Sequence, residues 1–373
     1  MSPDPAMAAG VRPLHELFVE QRRRGAERPA VVTSTSSVTY AELDAWSIRI
    51  AEALRAAPVA PGELVGVAVE RGPALVASLL GVLRSGCAYV PLEPGHPAER
   101  VGRILDQAAP RIVLVSPSTG DQPVWSPYPV LEVPDRVPLG AGPAVGGAPA
   151  RVRAEDPAYV AFTSGSTGAP KGVVCCHDGV VTYLAALIDA WSIGPGDRVL
   201  AVTSIAFDPS VRDIFGPLLA GATIVMASAD ETTDPSALAD LMERERVTGC
   251  VSMVPRLLES LVDECEAAPR RLVFRLLLTC GDVLAAATAG RARRVLGCEL
   301  GNQYGPTECT MVATSHRVAA EDLRDGAVPI GRPVGGAVVH VVDGWGELAP
   351  VGVLGELAIG GSGLARGYLG QPG

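Results

Sequence analysis

Residues 159–172 read YVAFTSGSTGAPKG, and the rest of the chain is best read outward from them. An apolar strand beginning at Tyr159 runs into the hydroxyls of Thr163 and Ser164. Gly165, Gly168 and Gly172 follow, with Ser166 and Thr167 between the first two and Lys171 between Pro170 and Gly172. Glycine lets a backbone approach an anion closely, while hydroxyls and N–H groups bond its oxygens. A single ammonium supplies charge. This is the chemistry of a phosphate cradle, although a bare glycine loop is as readily an ordinary flexible turn. It is not the Walker A pattern, which needs Gly before the Lys and Ser or Thr after it, where Pro170 and Gly172 stand here. The long, specific string favours phosphate. So does Lys171, the sole lysine of a 373-residue chain that otherwise uses arginine.

On the N-terminal side of this loop the pattern alternates between helix and strand. Leu14 to Arg24 and Ala41 to Ala56 have helical periodicity, followed by an apolar strand over Leu64 to Val69. A helix from Pro73 to Arg84, a short strand ending near Val90-Pro91-Leu92, a helix from Ala98 to Ala108 and a strand from Ile112 to Val115 come next. Such alternation predicts a largely parallel sheet covered by helices. Residues 116–157 are rich in Pro, Gly and Ser and read as a long surface connection. On the C-terminal side, strands are expected near Val199–Val202, Thr223–Met226, Val251–Met253 and Leu276–Leu278. After Gly331 the signal changes to short β segments, Ala337 to Val342 and Gly355 to Ile359. The expectation is an α/β protein of two βα-layered subdomains with mostly parallel sheets, plus a small β-barrel-like subdomain. The expected boundaries are 11–157, 158–330 and 331–373.

Composition narrows the function classes. The chain is 48% hydrophobic and 19% charged, which is globular and long enough for several packed subdomains. A formal charge of −10 without basic runs argues against nucleic acid. No apolar run is long enough to span a bilayer and residues 1–10 lack a signal-peptide core, so a cytoplasmic location is expected. The eight cysteines include no Cys-x-x-Cys pair and read as buried free thiols, and the five histidines lack metal-ligand spacing.

Further strings stand in order around the loop: Val38 to Leu43 (VTYAEL), Leu83 to Pro94 (LRSGCAYVPLEP) with Pro97 and Arg100, Phe207-Asp208, Asn302 to Glu308 (NQYGPTE) and Gly355 to Tyr368 (GELAIGGSGLARGY). Together with TSGSTGAPKG they resemble the adenylate-forming superfamily, in the form of nonribosomal peptide synthetase adenylation domains, over nearly the whole chain. The resemblance implies that a carboxylate is joined to the α-phosphorus of ATP and pyrophosphate is expelled. Two anions must be brought together and the charge on the phosphate neutralised, a task suited to Mg²⁺ with oxygen ligands.

By that resemblance Thr163, Ser164, Gly165, Ser166, Thr167, Gly168 and Lys171 hold the phosphates. Tyr304 offers a flat face to adenine, Asn302 bonds the base edge and Gly281 allows close backbone approach. Thr307 donates to the α-phosphate and Glu308 ligates Mg²⁺, so that Thr307, Glu308 and Lys171 are the expected catalytic residues. Taken alone, YGPTE reads more readily as a turn with a helix cap than as a nucleotide site. Asp208, ahead of Pro209, also reads as a helix N-cap, but the resemblance pairs it with a substrate ammonium and so favours an amino acid. The substrate side chain is assigned to Asp208, Pro209, Arg212, Met253, Leu278, Cys280, Gln303, Met311 and Val312. Arg212 and Gln303 bring donors, which suggests a polar or acidic side chain; the alternative is that Arg212 folds out against a protein carboxylate.

The family continues beyond the end of this sequence with a ribose-binding Asp, a hinge and a small domain that brings a second lysine. A chain without them is expected to bind weakly and adenylate slowly. The expected partners are an amino acid and a carrier protein whose phosphopantetheine thiol receives the acyl group, with dependence on an MbtH-like protein left open. Acyl- or aryl-CoA ligation, or non-catalytic nucleotide binding, are the rival readings.

Overall fold

The computed structural model describes residues 11–136, 150–164, 170–324 and 326–371. Of the expected phosphate loop, Gly165, Ser166, Thr167 and Gly168 lie outside the described residues, as does the side chain of Ser164.

The chain opens with α1 (Leu14–Arg24), β1 (Pro29–Val32), β2 (Ser37–Thr39) and α2 (Tyr40–Ala56). The VTYAEL string is the start of α2. Thr39 accepts from the Glu42 backbone N–H and Glu42 accepts in return from Thr39, a reciprocal cap for two orphan donors. β3 (Leu64–Ala68), α3 (Pro73–Arg84), β4 (Ala88–Pro91), α4 (Ala98–Ala108), β5 (Ile112–Val115) and β6 (Val130–Glu132) follow. All of α3 but its last residue is buried, as its nearly unbroken apolar sequence requires. At Gly81 a Cβ would meet Ile50 Cγ2 at 2.6 Å, so glycine there lets α2 and α3 approach closely.

Next come β7 (Pro157–Ser164), β8 (Pro170–Cys176), α5 (His177–Ala190), β9 (Arg198–Ala201), α6 (Pro209–Ala220) and β10 (Thr223–Met226). The chain continues through α7 (Ala229–Thr233), α8 (Pro235–Arg244), β11 (Gly249–Met253), α9 (Pro255–Ala267), β12 (Leu276–Thr279), α10 (Ala286–Leu296) and β13 (Glu299–Tyr304). It ends with β14 (Thr314–Arg317), β15 (Arg332–Pro333), β16 (Ala337–Val342), β17 (Glu356–Gly361) and β18 (Gly367–Tyr368).

Two large sheets result. One has the order β18-β8-β7-β4-β3-β5-β6, the other β15-β14-β13-β12-β11-β9-β10-β1-β2, while β16 and β17 form a separate antiparallel pair. The central strands of both large sheets are parallel, and antiparallel strands stand at both edges of the larger sheet and at the β18 edge of the smaller. A continuous apolar cluster joins them, containing Val65 and Tyr89 from the first sheet, Val199 and Leu278 from the second, and Leu184 and Phe215 from the helices between. Among the described residues no helix is long and apolar enough to cross a membrane. All eight cysteines are free and buried, as expected from their apolar surroundings.

Two expectations need correction. The sheets do not divide at 157/158: β1 and β2 join the second sheet, while β7 and β8 join the first. Short apolar strands look alike in sequence, and only tertiary register selects their partners. Nor is 116–157 merely a connection. Trp125 is buried and its indole N–H donates to the Thr119 carbonyl at 2.8 Å, and β6 adds a parallel strand beside β5. One aromatic and a strand of three residues produce no periodic signal.

Candidate active site

β9 lies between β10 and β11 in the larger sheet. From β9 the chain steps one way to β10, then returns past β9 to β11 and runs on through β12 to β13. The loops leaving β9 and β11 therefore diverge, and ligands of open α/β sheets bind in the crevice such a reversal leaves at the carboxyl ends of the strands. A cavity of about 620 Å³ lies there, within the size range of small-molecule sites. Thr203 and Phe207 to Pro209 line it after β9, Ser252 and Val254 at the end of β11, Cys280 to Leu284 after β12, and Asn302 to Gly305 at the end of β13. Phe207, Val254, Val283 and Tyr304 are exposed apolar side chains on its wall, suited to a flat ring.

Of the expected substrate residues, Asp208, Pro209, Cys280, Gln303 and Met311 line this cavity. Asp208 occupies the N-cap position of α6 but makes no side-chain cap bond. Its Oδ2 is buried without a hydrogen-bond partner. Burial pushes its carboxyl up to about 6, against the downward pull of the Arg212 guanidinium and the Thr307 hydroxyl. An orphaned carboxylate oxygen on a cavity wall is matched by a cationic donor.

Met253, Leu278 and Val312 are buried behind the wall and act through packing. Arg212 is fully buried too, and it does not fold out against a protein carboxylate. It does not itself line the cavity, and its bonded partners are neutral rather than a carboxylate. Nε donates to Ser252 Oγ at 2.7 Å, and Nη1 donates to the Tyr183 hydroxyl at 3.1 Å and to Gln303 Oε1. A one-layer displacement of this kind is invisible to sequence because α6 is buried on nearly all sides.

The expected nucleotide residues divide. Tyr304 and Gly281 line the cavity, and Gly281 has φ +84°, the left-handed backbone that glycine adopts without strain. Asn302 also lines it, but its amide group donates to the Val328 and Pro329 carbonyls at 3.2 and 3.1 Å. Its Oδ1 accepts from Thr279 at 3.2 Å, which leaves one oxygen lone pair for a ligand. After Glu308 the chain is unusual: Thr310 and Met311 have φ +54° and +77°. Consecutive non-glycine residues in this region store strain, a feature that concentrates at functional sites.

Thr163 and Lys171 face each other across the antiparallel pair β7–β8, at the two ends of the glycine-rich segment. Lys171 Nζ lies 5.5 Å from the centre of the Tyr368 ring, and the Tyr368 hydroxyl donates to Glu308 Oε1 at 2.7 Å. Lysine and glutamate from separate motifs are thus brought together by β18, which pairs with β8. Sequence reasoning quoted Tyr368 within a motif without giving it a role. It also passed over Arg71, whose guanidinium donates to the carbonyls of Ala201, Thr203 and Ala227 at 2.9, 2.6 and 2.8 Å. Glu93, from the LRSGCAYVPLEP string, accepts from Ser204 Oγ at 2.5 Å. Arg71 and Glu93 both reach from the first sheet to the loop that carries Asp208.

Parallel strands, a ligand-sized crevice at their reversal, and Lys171 and Glu308 both held against Tyr368 are the features of an α/β protein built to bind a small ligand at its switch point. A family model described as AMP-binding enzyme matches residues 18–369, and the chain belongs to that family. It is 38% identical over 96% of its length to tyrocidine synthase 3 of Brevibacillus parabrevis. It is likewise 38% identical over 99% of its length to the AMB antimetabolite synthetase AmbB of Pseudomonas aeruginosa. Among solved structures, the nonribosomal peptide synthetase FmoA3 in its α-methyl-L-serine-AMP bound form superposes over the whole chain at 34% identity with a TM-score of 0.89. The chain spans 6% and 29% of the lengths of the two curated relatives and 43% of the FmoA3 chain.

Proposed function

We propose that this chain activates an amino acid as its adenylate. A carboxylate oxygen of the amino acid forms a bond to the α-phosphorus of ATP, the bond from that phosphorus to the bridging oxygen breaks, and pyrophosphate leaves. The observation that carries the reading is Asp208, whose buried, unpartnered Oδ2 on the wall of the switch-point cavity suits an α-ammonium. An aryl or fatty acid would leave that oxygen unmatched. The relatives support the same reading, since one of them is described with an aminoacyl-AMP bound.

In this reading the exposed face of Tyr304 stacks on the adenine, and Oδ1 of Asn302 accepts from the base edge. Thr307 donates to the α-phosphate. Lys171 and the glycine-rich segment that it borders, with Thr163 opposite, hold the outer phosphates by charge and backbone donors. Glu308 is the carboxylate that would hold Mg²⁺, with Tyr368 orienting it through Oε1. Bound there, the ion would neutralise charge developing on the phosphate oxygens. Little covalent work falls to the protein, whose part is positioning and electrostatics. The product adenylate would pass its acyl group to the phosphopantetheine thiol of a carrier domain, as befits a relative of peptide synthetases, with an MbtH-like protein as a candidate helper. Free buried thiols suit work in a reducing cytoplasm.

The test is ATP–pyrophosphate exchange and direct ligand binding over a panel of amino, aryl and fatty acids. Exchange with an amino acid, lost in Asp208→Ala, is the expected result. Exchange confined to acids without an α-amino group would move the chain to the CoA-ligase side.

A further inference from the structure

Lys171 and Glu308 stand on separate segments, yet one short stretch of chain holds both. β18 pairs antiparallel with β8, Gly367 opposite Val174 and Tyr368 opposite Val173. The Arg366 N–H donates to the Val174 carbonyl at 2.9 Å and the Leu369 N–H to the Gly172 carbonyl at 2.7 Å. Gly172 adjoins Lys171, so these bonds fix β18 beside the lysine. At the start of the stretch the Ala365 N–H donates to the Glu308 carbonyl at 2.8 Å. Gly367 lies between these anchors with φ +132°, a backbone that residues bearing a side chain rarely adopt.

Tyr368 is carried on this frame, and its two ends meet opposite charges. The hydroxyl donates to Glu308 Oε1 at 2.7 Å. Lys171 Nζ lies 5.5 Å from the ring centre, inside the roughly 6 Å over which a ring face attracts a cation. One side chain thus holds a carboxylate by its polar tip and an ammonium by its apolar body. Neither contact exhausts its partner. A carboxylate has about four lone-pair sites, so Glu308 can accept from Tyr368 and still ligate a cation. An ammonium has three donors, and a ring face leaves some of them for phosphate oxygens.

Resting on the adenylation reading, we infer that Tyr368 is a positioning residue that couples nucleotide binding to divalent-cation binding. Its hydroxyl sets the Glu308 carboxylate for the cation, and its ring sets the Lys171 ammonium for the phosphates. Both settings pass through one rigid ring, which is itself tied by backbone bonds to the lysine's strand and to Glu308. Phenylalanine at this position separates the two roles, since it removes the hydroxyl and keeps the ring. Leucine removes both. The coupling is read as the ratio of nucleotide affinities with and without the cation.

The test measures binding of the β,γ-imido analogue of ATP by calorimetry, in EDTA and over a Mg²⁺ titration, with Mn²⁺ paramagnetic resonance as a second reading of the cation. In EDTA, Tyr368→Phe is expected to bind the analogue within about twofold of the wild-type chain, because the ring contact remains. Its half-saturating Mg²⁺ concentration should rise about tenfold, the cost of removing a group that orients a metal ligand, and the bound Mn²⁺ signal should weaken in step. Tyr368→Leu should show the same metal defect and also bind about three- to fivefold more weakly in EDTA. An unchanged Mg²⁺ midpoint in Tyr368→Phe would overturn the inference. So would an equal loss of affinity with and without the cation, the mark of a merely structural contact. Tighter binding by Tyr368→Leu in EDTA would refute it as well, since the ring would then compete with the phosphates for Lys171. The Phe variant keeps the ring and decides the matter even if the Leu variant does not fold. These outcomes leave adenylation standing. Failure of the wild-type chain to bind the analogue under either condition would instead remove the adenylation reading, and the inference with it.

Discussion

At the scale of single residues, Asp208 is maintained at a cost. Its carboxyl is raised from 3.8 to about 6, mainly by burial. The folded state therefore holds the proton more tightly than the unfolded chain does. Stability is lost as pH rises from about 4 through about 6, and by pH 8 the penalty is on the order of 3 kcal/mol. Asp208→Asn should accordingly melt at a higher temperature than the parent at pH 8 while losing amino-acid affinity. A variant less stable than the parent would contradict this account of the carboxylate. The same titration sets a pH limit on recognition: kcat/KM for the amino acid should fall about tenfold per pH unit below about 6 as the carboxylate is protonated. A flat profile between pH 5 and 7 would mean that another group receives the ammonium.

At the scale of elements, motif residues separate into those that build and those that touch the cavity. The VTYAEL string lies in the first group. Thr39 and Glu42 cap α2, and the Tyr40 hydroxyl donates to the Leu218 and Ala222 carbonyls at 3.2 and 2.7 Å, tying α2 to the end of α6. Thr39→Ala should lower stability to urea by about 1 kcal/mol and leave exchange kinetics unchanged. A second element-level feature is the docking of α1 on α5. His177 Nδ1 accepts the Leu14 backbone N–H at 3.3 Å, and the His15 ring packs edge-on at 6.1 Å. Burial pushes His15 down to about 3 and His177 down to about 4. Both are depressed below the unfolded value of 6.5, so their contribution is complete above that pH and is lost as pH falls from there toward 3. Unfolding between about pH 4.5 and about pH 5.5 should take up close to two protons onto these side chains. In His177→Asn the uptake should drop by about one, as read from the pH dependence of the urea midpoint.

At the scale of the whole molecule, the active-site loop of the second sheet depends on the first. Arg71, just after β3, satisfies three carbonyls of the second sheet, at the end of β9, after it and after β10, and Thr203 among them belongs to the cavity wall. Arg71→Ala should lower stability by about 2–4 kcal/mol and raise KM for the amino acid together. Lysine should rescue it poorly, since one ammonium cannot reproduce the fork. Lost stability with an unchanged KM would reduce Arg71 to a structural tie.

Local chemistry was sufficient to reveal α1 to α4, most of the buried strands, the free cysteines and the ordered strings that mark the family. Periodicity, capping pairs and short polar motifs are written in neighbours along the chain, and there a sequence can be read directly. Strand pairing was not legible, because apolar strands of four to eight residues carry no address; β1 and β7 crossed the expected boundary for that reason. The layer at which Arg212 sits was hidden as well. A helix buried on nearly every side has no polar stripe to show which residues open to a cavity. The meeting of Lys171, Tyr368 and Glu308 comes from strands distant in sequence. The distances that turn these residues into a site are long-range, and the packing of the two sheets against one another sets them.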